Sequence, residues 1–421
     1  MASHLLVWII AATATAGVIL RPWNLPEAVW AVSGAVLLVV LGLLPASDAL
    51  VGIRKGSDVY LFLIGMMTLA ELARKEGLFD WLAAIAVRHA QGSGARLFWL
   101  VYVVGIVVTV FLSNDATAVV LTPAVYAAAR AADAEPLPYL LICAFIANAA
   151  SFVLPISNPA NLVIYGSQMP PLSVWLATFG PASIVAIALT FVSLRLVLRA
   201  QVPVSIKTEF DAVRLSRGGM LAAIGIGVTA LVLIIASALG WELGMPTFVA
   251  GLLTAAFILL GSRQSPWPVI RDISWGVLPL VAGLFVLVEA LQTTGVIDAL
   301  AAITQRFAAQ SVGWTAAGAG VIVALACNLL NNLPAGLIAG STVAAGQLPA
   351  PITNAVLVGV DLGPNLSVTG SLATILWLVA LRREGVRVGA WRFLKIGALV
   401  MPPALIGALL ALHVGAALHA G

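Results

Sequence analysis

Apolar residues run in blocks of roughly 18 or more from one end of the chain to the other, the length that spans a bilayer as a helix. Read as helices, the first half gives 5–20, 27–45 and 58–77, then a short amphipathic helix at 78–90. An apolar pair follows at 96–113 and 114–130, then a segment from 137 to about 168 and a long helix at 172–198. The second half reads 219–241, 246–262 and 273–293, a second apolar pair, a second interrupted segment and a last helix from about 392. Polar residues break this pattern at four places. The apolar pairs are hinged at Ser113-Asn114-Asp115, in FLSNDATAVV, and at Asn331-Asn332. The long segments are interrupted at LPISNP and, in VLVGVDLGPNLSVTGSLATIL, at DLGPN and VTGS.

The four interruptions correspond between the halves. Shifted by 218, ELARKEGLFDWLAAIAVR (71–88) falls on EALQTTGVIDALAAITQR (289–306), matching Glu71 with Glu289, Gly77 with Gly295 and Asp80 with Asp298. The same shift puts Asn114 on Asn332, and a shift of 213 puts Asn148 on Asp361 and SNPAN (157–161) on GSLAT (370–374). Three blocks in one order argue for an internal repeat. Each hinged pair returns to the side it left, whether as two spans or as one re-entrant hairpin, so each half crosses an odd number of times. Two such halves in series are inverted relative to each other, as in secondary transporters. The expected fold is therefore an all-α polytopic membrane protein of two inverted repeats, each of about five transmembrane helices with a re-entrant hairpin and a broken helix. Its divisions are 1–198, a cytoplasmic linker at 199–217, and 218–421.

Charge tests that topology. Of the basic residues, 18 fall on one side and only Arg54, Lys55 and Arg306 on the other, the asymmetry of cytoplasmic against outer loops. Both termini then lie outside, in the periplasm of an inner-membrane protein. Composition agrees, with 62% hydrophobic and 9% charged residues among 421. The first apolar run has no basic segment before it and no small-residue cleavage site after it, and reads as a retained helix. The net charge of +4 is scattered over short loops and forms no nucleic-acid patch. No zinc spacing, phosphate loop or dinucleotide fingerprint is present, so no cofactor is expected. Cys143 and Cys327 lie in apolar runs and read as core.

The polar breaks carry the candidate chemistry. Non-helical backbone at membrane depth is tolerated only inside protein or beside a wet cavity. Pro123, Pro155, Pro159, Pro334 and Pro364 favour such breaks, whose free backbone groups, with Asn and Ser side chains, make a compact polar site. An ionised carboxylate at mid-bilayer costs roughly 3 kcal/mol on insertion scales, so Asp115 and Asp361 pair, protonate or face water. Neither has a lysine or arginine nearby in sequence. One or both is expected to exchange a proton or hold a cation. The blander readings stand beside this: Asn114 and Asn332 as helix caps or interhelical glue, Asp115 and Asp361 as local caps, Glu71 and Glu289 as interface residues, and Asp80 and Asp298 as caps of the amphipathic helices.

LSNDATAVVLTP, ISNPANLV, CNLLNNLPAG and GVDLGPNLSVTGSLATILWL together resemble the arsenite permease family of the ion transporter superfamily, over essentially the whole chain. The resemblance implies export of arsenite and antimonite as neutral trihydroxides, driven by proton exchange or, in some systems, by a partner arsenic-stimulated ATPase, and no enzymatic activity. The family's motifs fall on Asn114, Asp115, Asn331, Asn332 and Asp361, and with the polar breaks they give as candidate substrate contacts Asn114, Asn148, Ser157, Asn158, Asn161, Asn331, Asn332 and Ser371, with proton coupling at Asp115 and Asp361. ISNPAN is the looser match, since other members carry different residues there. The nearest alternative is a sodium/proton antiporter of the same superfamily. Dicarboxylate carriers place Ser-Asn-Thr where this chain has Ser-Asn-Asp, whose charge repels an anion. An intramembrane hydrolase would need its two aspartates close together, and neither lies in a protease motif.

Overall fold

A computed structural model describes residues 2–207 and 214–420; residues 208–213, in the middle of the expected linker, and the two terminal residues lie outside the described residues. The described chain is helical, with no strand beyond an isolated bridge between Ser93 and Ser205. Seven of its helices are long and apolar enough to cross a membrane, or up to nine if each of two bent pairs is one span. Those pairs are Ala46–Lys55 with Ser57–Lys75, bent by 47°, and Val277–Thr293 with Val296–Gln310, bent by 73°. Large apolar side chains such as Leu253, Phe257, Ile322 and Leu329 are exposed on the outside, the surface that hydrocarbon covers. The protein is an all-α, multi-pass membrane protein.

Two boundaries differ from the sequence pattern. The helix expected over 27–45 stops at Val40, because Gly42 turns the chain at φ 66° and Pro45 starts a separate amphipathic helix, Ala46–Lys55. The helix expected from 273 begins at Val277, and Trp267–Asp272, with proline in its first turn, forms a short helix before it. Gly77 and Gly295 precede Leu78–His89 and Val296–Gln310 with φ of 74° and 77°, a conformation that costs glycine least. Asp80 and Asp298 sit in the first turns of those helices, where the helix dipole favours a negative charge.

The halves interleave. Ser57–Lys75 packs along Gly244–Ser262 of the other half, and Val277–Thr293 packs along Glu27–Val40. Glycine allows both approaches: a Cβ at Gly65 would meet the Thr247 carbonyl, and one at Gly283 would meet the Ala31 backbone. The long helices Leu172–Leu198 and Ala390–Ala420 also pack on each other. The start of the linker is docked, with Ile206 N–H donating to Gly92 O and Lys207 N–H to Ala132 O, each at 2.9 Å.

Ion pairs tie the short helices Ala46–Lys55 and Trp267–Asp272 to the opposite half. Lys55 meets Glu289 at 2.6 Å, while Asp272 meets Lys75 at 3.1 Å and Arg74 at 3.4 Å, with Arg74 also held by Glu71 at 2.8 Å. The Lys75 hydrogen bond holds Asp272 below the usual carboxylate range. Glu289 therefore clamps two helices across the halves, while Glu71 pairs within its own helix with Arg74 and Lys75, the two residues that meet Asp272. Exposed pairs contribute about 0–1 kcal/mol, so Glu289→Gln is expected to lower the melting midpoint in detergent only slightly and to leave transport at the parent rate.

Candidate functional site

Both broken segments are held open by side chains that take over the backbone's hydrogen bonds. In the first, helix Leu137–Ala149 ends, a single turn at Pro155–Ser157 follows, and Pro159–Tyr165 resumes the path. Asn161 Nδ2 donates to the carbonyls of Ser151, Pro155 and Leu154 at 2.9, 3.2 and 3.4 Å, satisfying oxygens that no helix reaches. In the second, Ala350–Leu362 runs into the turn Gly363–Asn365, and Leu372–Arg383 resumes. Here Asn328 Nδ2 donates to Ala324 O and Gly363 O at 2.8 and 3.0 Å, while Ser367 and Thr369 hydroxyls donate back to Asn328. Ser371 caps the resumed helix, its Oγ accepting from Thr374 N–H.

The two hinge tips lock onto these breaks. Ser113 Oγ accepts from Ala116 N–H at 3.2 Å and Asn114 Oδ1 from Asp115 N–H at 2.9 Å, which starts the second arm as a short turn running into a π-helical stretch, Thr117–Leu121. Ser157 Oγ donates to Val110 O at 3.1 Å, joining the first tip's leading arm to the first break. At the second tip Asn331 sits at φ 72°, ψ 154°, a region that strains any residue but glycine. Its Oδ1 accepts from Leu333 N–H and its Nδ2 donates to Thr369 O at 3.3 Å, while Asn332 N–H donates to Gly370 O at 2.8 Å. Each tip also reaches across: Asn114–Ala116 packs on Leu372–Arg383, and Asn332–Ala345 packs on Pro159–Tyr165.

The breaks cross each other through two side-chain bridges more than 200 residues apart in sequence. Asn158 Oδ1 caps its helix by accepting from Ala160 N–H at 3.0 Å, which fixes the amide's orientation and aims Nδ2 outward. That Nδ2 donates to Asp361 Oδ1 at 2.6 Å. Asn148 Nδ2 donates to Asn365 Oδ1 at 3.0 Å, and Asn365 Nδ2 donates to Phe145 O at 3.1 Å. Three acceptors in this region are buried and accept no hydrogen bond: Asn148 Oδ1, Asn161 Oδ1 and Asp361 Oδ2, the last with the Ser151 hydroxyl beside its carboxylate, a hydroxyl that donates to Asn148 O at 2.7 Å. Each such atom costs roughly 1–3 kcal/mol while unpaired, a cost that water or a polar solute donating to it would offset.

Of the residues singled out in the sequence, Asn148, Ser157, Asn158, Asn161, Asp361 and Ser371 are buried around the crossed breaks, and Asn114, Asn331 and Asn332 are buried at the tips. Asp115 is half-buried beside Asn114. Among the described residues the carboxylates in ion pairs are Glu27, Glu71, Asp133, Asp272 and Glu289, so neither intramembrane aspartate is neutralised by a cation. Asn328, Asn365, Ser367 and Thr369 carry as many hydrogen bonds as the predicted residues and were missed. Asn328 had a signal, since it forms with Asn331 and Asn332 an i, i+3, i+4 polar set in CNLLNN.

The model of the CitMHS family, described as citrate transporter, matches residues 5–359. An arsenical pump membrane protein of Escherichia coli is 26% identical over 412 residues, covering 94% of this chain and 95% of that one. A putative arsenical pump membrane protein of Bacillus subtilis is 23% identical over 424 residues, covering 93% and 95%. Among solved structures, the Alcanivorax borkumensis YdaH transporter superposes with a TM-score of 0.60 over 88% of each chain at 16% identity, a likeness of fold alone.

Proposed function

The chain belongs to the CitMHS transporter family, and we propose that it exports arsenite and antimonite, as neutral trihydroxides, across the bacterial inner membrane in exchange for protons. The observation that carries this reading is the set of three donor-free acceptors at the crossed breaks, Asn148 Oδ1, Asn161 Oδ1 and Asp361 Oδ2. A pyramidal trihydroxide offers three O–H donors, matching their number and polarity without requiring a fixed opposite charge. Asp361 Oδ2 accepts either a solute hydroxyl or a proton, and that exclusivity couples the two fluxes. Asp115, at the half-buried tip of the other half, is the second acid and relays protons toward one face.

Alternating access needs two halves of opposite orientation. The reciprocal packing of Ser57–Lys75 on Gly244–Ser262 and of Val277–Thr293 on Glu27–Val40 supports that arrangement, with both termini periplasmic. The relatives named arsenical pump membrane proteins favour the metalloid. The family's description as citrate transporter raises a second reading, uptake of a tricarboxylate. Against it, no cation pairs with either intramembrane aspartate among the described residues, and an anion at the crossed breaks would face Asp361 directly.

Expression in a bacterium stripped of its own arsenic exporters and arsenic-stimulated ATPase is expected to restore growth on arsenite and antimonite. Tolerance of sodium and growth on citrate are expected to stay at the control level. Resistance that appears only with the ATPase present would replace proton exchange by a pump partnership. Salt tolerance without metalloid resistance would move the assignment to a sodium/proton antiporter.

A further inference from the structure

The short helix Pro159–Tyr165 and the helix Ala350–Leu362 lie side by side with antiparallel register. Asn158 is bonded to Asp361, and seven residues on, Tyr165 Oη donates to Asn354 Oδ1 at 2.7 Å. Seven residues are two helical turns, so each helix carries its two polar groups on one face, about 10 Å apart. On the same faces, between these rungs, lie Leu162 and Val358, both buried. The inner rung is closed off, with Asn158 and Asp361 exposed by only 2% and 1%, whereas Tyr165 and Asn354 are half-buried. Asn354 also lines a cavity of about 450 Å³, together with Ser311, Trp314 and His413, at the ends of helices on the face expected to be periplasmic. The Tyr165 ring is anchored from behind by Trp175 and Phe179, at 5.6 and 6.5 Å between ring centres.

We propose that Tyr165 and Asn354 are the outer gate of the transport path: their hydrogen bond and the Leu162–Val358 layer beneath it separate the outer cavity from the crossed breaks. The short helix is built to swing as a unit. Gly166, at φ 52°, ends it and leaves the chain free to turn there, while Pro159 begins it without a backbone N–H to tie it to the preceding break. Moving it away from Ala350–Leu362 breaks both rungs together and joins the cavity to Asp361 Oδ2. The gate rests on the alternating-access reading above, but not on the identity of the solute.

The test places a reporter between the rungs. Val358→Cys is made in the parent chain and combined with Tyr165→Phe, which removes only the hydroxyl, or with Asn354→Ala. Intact cells are treated from outside with a charged, membrane-impermeant methanethiosulfonate, using the chain with only its two buried cysteines, Cys143 and Cys327, as the blank. Loss of one net hydrogen bond from a two-state gate is expected to raise the rate at which the introduced thiol is modified about fivefold in either combination, relative to Val358→Cys alone. Modification at the rate of Val358→Cys alone, in a combination that reaches the membrane, overturns the gate, and if one combination is not inserted the other decides. Metalloid resistance is scored separately, so a wrong solute leaves the labelling result standing.

Discussion

Asp361→Asn is expected to abolish export driven by a pH gradient while the protein remains folded and inserted. The new side chain has nearly the same shape, and its carbonyl oxygen still accepts from Asn158 Nδ2, so the 2.6 Å bridge between the breaks survives. What disappears is the carboxylate proposed to take the proton. Losing a positioned proton acceptor lowers a proton-dependent step by about 10²–10⁴-fold, and net export in everted vesicles energised with a pH gradient is the measurement. Exchange of labelled for unlabelled arsenite needs no net proton movement, and it is expected to persist at weaker affinity, because the new amide keeps the acceptor on Asn158 and offers a donor in place of Oδ2, to which a solute hydroxyl oxygen can still accept. Asp361→Leu separates structure from coupling. It strands the Asn158 amide and costs roughly 1–3 kcal/mol of stability, which Asp361→Asn does not. Undiminished gradient-driven export in Asp361→Asn would shift the coupling role to Asp115.

The sequence made the two acids and four polar breaks visible for a simple reason. At membrane depth almost every other residue is apolar, so a misplaced Asn, Asp or Pro stands out. The family resemblance rested on the same residues, and the CitMHS match and the arsenical pump relatives agree with it. Partner choice was not legible. Nothing in the sequence pairs Asn158 with Asp361 or Tyr165 with Asn354, because those contacts depend on which helices lie side by side, and here the halves interleave. The helix Ala46–Lys55 was missed because the apolar run before it continues to Leu44, while the actual stop depends on a positive φ at Gly42. Asn365 was passed over as part of a proline turn. Its amide faces inward and bridges to Asn148 from a position that reads as an ordinary helix end.

Asn331 gives the second large effect, and it divides binding from shaping. Its φ of 72° and ψ of 154° place it where only glycine is unstrained, at a cost of about 1–3 kcal/mol to any other residue. Both ends of its side chain are engaged within the tip, accepting from Leu333 N–H and donating to Thr369 O. Asn331→Ala keeps the strain and removes the cap, which by itself is worth about 1 kcal/mol. Asn331→Gly relieves the strain and loses only a few tenths of that cap. The two variants are therefore expected to differ by about 2–4 kcal/mol in stability, Gly above Ala, read as separated melting midpoints in detergent. If Asn331 acts by shaping the tip that seats Asn332 N–H on Gly370 O, the glycine variant retains export within about tenfold of the parent, the scale set by one weakened hydrogen bond. A stable glycine variant that transports nothing would instead put the Asn331 amide in direct contact with the solute. The strain would then be the means by which the tip turns that amide toward the path, and Asn332, whose backbone alone is bonded to the break, would be the residue to examine beside it.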